Sequence, residues 1–225
     1  MAGPFSLDGR RALVTGANTG IGQAIAISLA GQGAEVVCAG RRSCADTVAQ
    51  IAAADGTASE LILDFADPMA AQKTFTDQGF TILVNNAGII RREDSVDYSE
   101  ADWDAVMDVN LKALFFTTQA FGKAAMAAKT PASVVNIASF QGGIRVPAYT
   151  AAKHGVAGLT KILANEWAPH GITVNAIAPG YIETNNTEAL RNDPERSKAI
   201  LDRIPAARWG KASDIGGTAA FLASP

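Results

Sequence analysis

Cysteine and histidine are scarce in this sequence, with two of each among 225 residues. Cys38 and Cys44 cannot build a disulfide framework or a four-thiolate zinc site. His154 and His170 have no partners at metal-ligand spacing, so no metal is expected. A basic surplus is also lacking: the net charge is -3 and the pI about 5.4. That argues against nucleic acid or an anionic membrane surface as a partner. No apolar run reaches the roughly 18 residues of a membrane span. The first residues, MAGPFSLDGRR, lack the basic flank and apolar stretch of a secretory signal, and a cytoplasmic protein is expected. There is no linker-like tract, internal repeat or low-complexity segment, so a single domain over 1–225 is expected. What is present is apolar: 48% hydrophobic against 18% charged residues, enough to bury a core and exclude disorder.

Short apolar runs alternate with longer helix-like stretches. The strand candidates are Arg11–Gly16, Glu35–Gly40, Glu60–Asp64, Thr81–Asn85, Ser133–Ala138 and Thr173–Ala178. Most are continuously apolar, as strands covered on both faces are. The helix candidates are Ile21–Gln32, Cys44–Ala54, Pro68–Asp77, Ser99–Lys129, Ala148–Trp167, Thr187–Arg203 and Ser213–Ala223. This alternation implies an α/β fold, a Rossmann-type doubly wound parallel sheet flanked by helices.

The first strand runs into Thr15-Gly16-Ala17-Asn18-Thr19-Gly20-Ile21-Gly22, ahead of a helix. Glycines there permit positive φ and let a pyrophosphate approach the backbone N–H groups at a helix start. The spacing G-x-x-x-G-x-G differs from the commoner G-x-G-x-x-G. The second strand ends in Gly40-Arg41-Arg42, where an NAD-selective site would place an acid; an arginine instead suits a 2′-phosphate. NADP is favoured by that reading, with solvated arginines the alternative.

Tyr149 and Lys153 lie four apart in YTAAK, on one face of an expected helix. A phenol titrates near 10, too high for a base at neutral pH, and a nearby ammonium would lower it. The pair would then move a proton to or from an alcohol or carbonyl oxygen. Ser139 closes the fifth strand and offers a hydroxyl to the reacting oxygen.

With TGANTGIG (15–22), NNAG (85–88), Asn110 in DVN, Ser139 in NIAS, YTAAK (149–153) and PGYIET (179–184), the chain resembles the short-chain dehydrogenase/reductase family over nearly its whole length. The resemblance implies NAD or NADP as cofactor. Gly16, Asn18, Thr19, Gly20, Ile21 and Gly22 would form the pyrophosphate loop, with Arg41 near the adenosine ribose. Asp64 and Phe65 would meet the adenine, and Asn86, Ala87 and Gly88 would line the cofactor. Pro179, Gly180, Ile182 and Thr184 would flank the nicotinamide. Tyr149 would be the acid/base, Lys153 would bind the nicotinamide ribose and lower the tyrosine pKa, Ser139 would hold the substrate oxygen, and Asn110 would position a relay water. A homotetramer or homodimer, paired through the long helices, is also implied.

A narrower resemblance, to the family's sugar-acid dehydrogenases of the deoxygluconate type, runs through NNAGIIRRED (85–94), SFQGGIRVPAYTAAKHG (139–155), 164–191 and ILDRIPAARWG (200–210). A sugar acid presents a carboxylate and several hydroxyls. Arg91, Arg92 and Arg145 are candidate carboxylate forks, with surface ion pairs to Glu93 and Asp94 as the other reading. Gln141, Asn185 and Asn186 could serve hydroxyls. The alternatives are another ketone or polyol as substrate, or a dinucleotide-binding protein without turnover.

Two features depart from the family pattern. Ser139 and Tyr149 are ten positions apart rather than about thirteen. Ser139 therefore corresponds either to the strand-closing serine or to a later one before the phenylalanine. The sequence also stops at Ala223-Ser224-Pro225, where family members continue into a last strand, so an open sheet edge beside the sixth strand is expected.

Overall fold

The structure is a computed structural model that describes residues 3–70, 75, 78–140 and 144–225. Six strands form one parallel sheet: β1 (Arg11–Thr15), β2 (Glu35–Gly40), β3 (Ala58–Ile62), β4 (Ile82–Asn85), β5 (Ala132–Ile137) and β6 (Ile172–Ile177). Their spatial order is β3-β2-β1-β4-β5-β6, so the chain reverses its direction of winding between β1 and β4. In such sheets ligands sit beyond the carboxyl ends of the strands at that switch point.

The period of two along each strand divides the core into two layers. Ala12, Val14, Val36, Cys38, Ile82, Val84, Val135 and Ile137 face one layer. Helices α1 (Gly20–Ala30) and α8 (Ser213–Ala223) cover it, through Ile25, Leu29, Ala219 and Ala223. These two helices approach closely because Gly216 has no Cβ, which would lie 2.1 Å from Ser28 Oγ. Leu13, Val37, Leu83, Val134 and Val174 face the other layer, against Phe121, Leu163 and Trp167 of α4 (Leu114–Ala128) and α5 (Pro147–Trp167). The outer strands differ: β3 is largely exposed, and β6 alternates buried Ile172 and Val174 with more open neighbours.

Several element boundaries depart from the sequence reading. The expected helix over 99–129 starts as read, with Ser99 Oγ accepting from Asp102 N at 3.1 Å to cap α3 (Glu100–Met107). It then widens into a π-helical turn over Asp108–Ala113 before α4 begins. The expected helix over 187–203 is broken. A short turn at Asn185–Thr187 leads into α6 (Glu188–Arg191), and α7 (Pro194–Leu201) starts anew with Asp193 as its cap and Pro194 in its first turn. An Asp-Pro pair inside an apparent helix is a start signal, and here it prevails over the apolar periodicity. Helix α2 spans Ala45–Ala52. Most of the expected helix over 68–77 lies outside the described residues. Among the described residues no helix is long and apolar enough to cross a membrane.

Candidate active site

The site begins where β1 and β4 end side by side. Thr15 is buried, and its hydroxyl accepts from Asn86 N (2.9 Å) and Ala87 N (3.0 Å) while donating to Val84 O (3.2 Å). Asn86 Nδ2 returns two bonds of 3.0 Å, to Thr15 O and Gly16 O. One threonine and one asparagine thus fix the glycine loop against the exit of β4. The sequence reading gave Asn86 to the cofactor and missed Thr15, whose position at the strand end was the available signal.

The loop itself needs its glycines. Gly16 and Gly20 hold φ of 64° and 60°. A Cβ on Gly22 would lie 2.2 Å from Gly16 O, so any side chain there would push the loop off the helix. Helix α1 then starts at Gly20 with no side-chain cap and no acid in its first turn. Its free N–H groups and the positive end of its dipole fit a phosphate or pyrophosphate.

Two clefts open from this loop. One, of about 270 Å³, joins Asn18, Thr19, Gly20 and Ile21 to Ser139, Tyr149 and Lys153, with Pro179, Gly180, Ile182 and Thr184 as its far wall. The other, of about 590 Å³, passes Gly40, Arg41 and Arg42 to reach Asp64 and Phe65, and Ala87 and Gly88 belong to both. Asn185 and Asn186, considered for substrate hydroxyls, line these clefts. Arg41 is exposed, and its loop is pinned from β3 by Glu60, which accepts from Ser43 Oγ (2.9 Å) and Cys44 N (2.7 Å). The two thiols are buried, which pushes Cys38 up to about 12 and Cys44 to about 11; both are inert at neutral pH.

Tyr149 and Lys153 stand on the first turns of α5, whose opening Pro147 has the φ a helix start requires. Lys153 is buried, its Nζ donates to Ile137 O at 2.5 Å, and it lies 5.7 Å from the centre of the Tyr149 ring. Burial pulls the ammonium down to about 8. Burial also pushes the Tyr149 phenol up, opposed by a hydrogen bond from Ser139 and by the positive charge of Arg92. The lysine is turned to a strand-end carbonyl, and Ser139 and Arg92 are the groups that favour the phenolate.

Asn110 is fully buried in the π-helical turn. Its Oδ1 accepts from Ile89 N (2.8 Å) and its Nδ2 donates to Ile89 O (2.9 Å), so it clamps the backbone just beyond Gly88. The wider turn is what carries this side chain inward, as such turns often do at functional sites. Behind it runs a closed polar chain. Asn85 Nδ2 donates to Thr118 Oγ1 and Asn136 Oδ1 (both 2.8 Å), and Asn136 Nδ2 donates to Thr160 Oγ1 (3.0 Å). Such a satisfied buried network rigidifies the strands that carry the site.

A third cavity, of about 340 Å³, lies beyond Ser139 and Tyr149. The candidate arginines divide here. Arg92 lines this cavity. Arg145, with φ of 64°, is held by Glu93 (2.7 Å) and Asp94 (3.0 Å), and Arg91 by Asp102 (3.2 Å) on the side of the larger cofactor cleft. For Arg91 and Arg145 the structure therefore gives the ion-pair alternative: Asp102 on α3 reaches Arg91, and the fold brings Glu93 and Asp94 against Arg145. Gln141 lies outside the described residues. The cavity also draws Tyr181, Arg196 and Arg203 from after β6, which the sequence reading did not single out. Their signal was the spacing Arg196, Ala199, Ile200, Arg203, one face of a helix.

Comparison with known proteins agrees with this geometry. The family described as Enoyl-(Acyl carrier protein) reductase, within the short-chain dehydrogenases, matches residues 16–225. The 2-dehydro-3-deoxy-D-gluconate 5-dehydrogenase of Bacillus subtilis (strain 168) is 52% identical, over 98% of this chain and 89% of the relative. The enzyme of that name from Escherichia coli (strain K12) is 49% identical, over 98% and 90%. Among solved structures, an Agrobacterium tumefaciens protein with bound NADP, provisionally assigned as a 2-deoxy-D-gluconate 3-dehydrogenase, is 71% identical. It has a TM-score of 0.97 and covers 98% of this chain and 91% of that one.

Proposed function

Since the chain belongs to the short-chain dehydrogenase/reductase family, we propose that it is an NADP-linked oxidoreductase. It interconverts a secondary hydroxyl and a ketone on a deoxy sugar acid. The observation that carries this reading is the convergence of Ser139 and Tyr149 on the meeting of a cleft built for a dinucleotide and a separate cavity of about 340 Å³, with Lys153 in the first of them. The substrate class is supported by the sugar-acid dehydrogenases at 52% and 49% identity, and NADP by the bound cofactor of the 71% identical structure and by Arg41 and Arg42.

Oxidation of a secondary alcohol removes a hydride from the carbinol carbon and a proton from its oxygen. The nicotinamide supplies the hydride chemistry when bound. The residues of this chain orient the partners and manage the proton. Tyr149, as phenolate, takes the proton from the hydroxyl, and in the reverse direction its phenol returns the proton to the alkoxide oxygen. Ser139 hydrogen-bonds the reacting oxygen and the phenolate. Lys153 holds the ribose beside the nicotinamide, and Asn110 keeps the Ile89 backbone in place and orders a relay water. Gly16, Asn18, Thr19, Gly20, Ile21 and Gly22 receive the pyrophosphate. Asp64 and Phe65 receive the adenine, and Asn86, Ala87, Gly88, Pro179, Gly180, Ile182 and Thr184 line the rest. The enzyme acts in the cytoplasm as a single-domain subunit of a homotetramer or homodimer. Ile162, 48% exposed on α5, supports pairing through that helix.

The test is kcat/KM for 2-dehydro-3-deoxy-D-gluconate and for neutral polyols, with NADP(H) and NAD(H). The sugar acid should be preferred at least tenfold, and Arg41→Asp should shift the cofactor ratio toward NAD. Equal turnover of acid and polyols overturns the substrate class, and an unchanged cofactor ratio overturns the role of Arg41.

A further inference from the structure

The cavity beyond Tyr149 has two ends. Ser139 and Tyr149 stand at one, with Arg92 near enough for its charge to act on the phenol. Arg196, Ala199, Ile200 and Arg203 line it from α7 and the turn that follows, at the spacing of one helical face. Arg203 is fixed by that turn: its N donates to Ile200 O (3.0 Å) and its Nε to Ala199 O (3.1 Å).

The neighbouring carboxylates are committed elsewhere. Asp193 accepts from Glu195 N and Arg196 N as the helix cap, both at 3.1 Å. Asp202 holds Lys198 at 2.8 Å. Arg11, Arg91, Arg145 and Arg208 each have a carboxylate partner. Among the described residues Arg196 and Arg203 have none within 4.0 Å. Two arginines lining one cavity, neither paired with a carboxylate among the described residues, suit an anion, and a guanidinium fork suits a carboxylate.

We propose that Arg196 and Arg203 are the carboxylate-recognition pair of this cavity, holding the acid end of the substrate while its reacting oxygen faces Ser139 and Tyr149. The inference rests on the sugar-acid reading above and moves acid recognition from Arg91 and Arg145 to α7. Substrate choice then lies in a segment distinct from the catalytic strand ends, and Arg92 serves the reacting end.

The experiment compares 2-dehydro-3-deoxy-D-gluconate with its uncharged carboxamide in wild type, Arg196→Gln, Arg203→Gln, the double variant and the two Arg→Lys variants. Both arginines are exposed, so the core is untouched, and NADPH titration confirms a folded cofactor cleft. The double variant should lose about 100-fold in kcat/KM for the acid, mainly through KM, and less than threefold for the carboxamide. Lysine should restore part of the loss. If the wild type prefers the acid and the double variant keeps that preference, the arginine pair is wrong and the sugar-acid reading stands. If the wild type does not distinguish acid from amide, the sugar-acid reading fails and the pair fails with it.

Discussion

Ser139 lines the same two clefts as Tyr149, ten residues further on, and its hydroxyl favours the phenolate there. The sheet explains why the short connection does not displace it. Ala138 N donates to Ile177 O (2.8 Å) and Phe140 N to Pro179 O (3.1 Å), so the peptides on both sides of Ser139 are tied to β6 and its exit. The position of the serine, two residues beyond the end of β5, is set by strand pairing.

Replacing Ser139 by alanine should therefore do more than slow the reaction. The hydrogen bond from Ser139 holds the Tyr149 pKa down against burial. Ser139→Ala should lower kcat for alcohol oxidation by roughly 10²-fold or more and move the acid limb of its pH profile, where the phenolate takes up its proton, to higher pH. A slower enzyme with an unmoved limb would show that the serine does not act on the phenol.

Lys153 makes the cofactor-free protein sensitive to pH. Burial penalises the ammonium and pulls its pKa in the fold down to about 8, from the ordinary lysine value of about 10.5. Between those values the unfolded chain binds more protons than the folded one, so stability rises with pH from about 8 to about 10. The penalty is fully present below pH 8. The difference in unfolding free energy, wild type minus Lys153→Met, should climb across that window in urea titrations. A flat difference would show that the buried lysine keeps its ordinary pKa.

The parts of this molecule that were legible from sequence are those with a local cause. Continuous apolar runs such as EVVCAG and ILVN gave the buried strands, and Ser99 gave a helix start within one residue. The glycine loop was legible because positive φ and close approach leave few other residues possible there. Partner choice was not legible. Whether Arg145 meets a substrate or Glu93 depends on two segments brought together by the fold, 52 residues apart. The π-helical turn at Asn110 left no trace in the periodicity, and the break at Asp193–Pro194 was hidden by apolar positions continuing on both sides.

Asn110 gives a structural prediction that turnover alone would not reveal. Asn110→Ala leaves Ile89 N and Ile89 O without their partner in a closed part of the site. The variant should lose about 1–3 kcal/mol of stability, read as a lower urea midpoint at unchanged slope. Full wild-type stability would show that the clamp is dispensable.

The central claim is that the Tyr149 hydroxyl carries the substrate proton. Tyr149→Phe keeps the ring and removes only that oxygen. The direct measurement is single-turnover oxidation of 2-dehydro-3-deoxy-D-gluconate by bound NADP+, with the NADP+ Kd determined on the same sample. The account predicts a rate lower by roughly 10²–10⁴-fold with the Kd within threefold of wild type. A rate equal to wild type would contradict it.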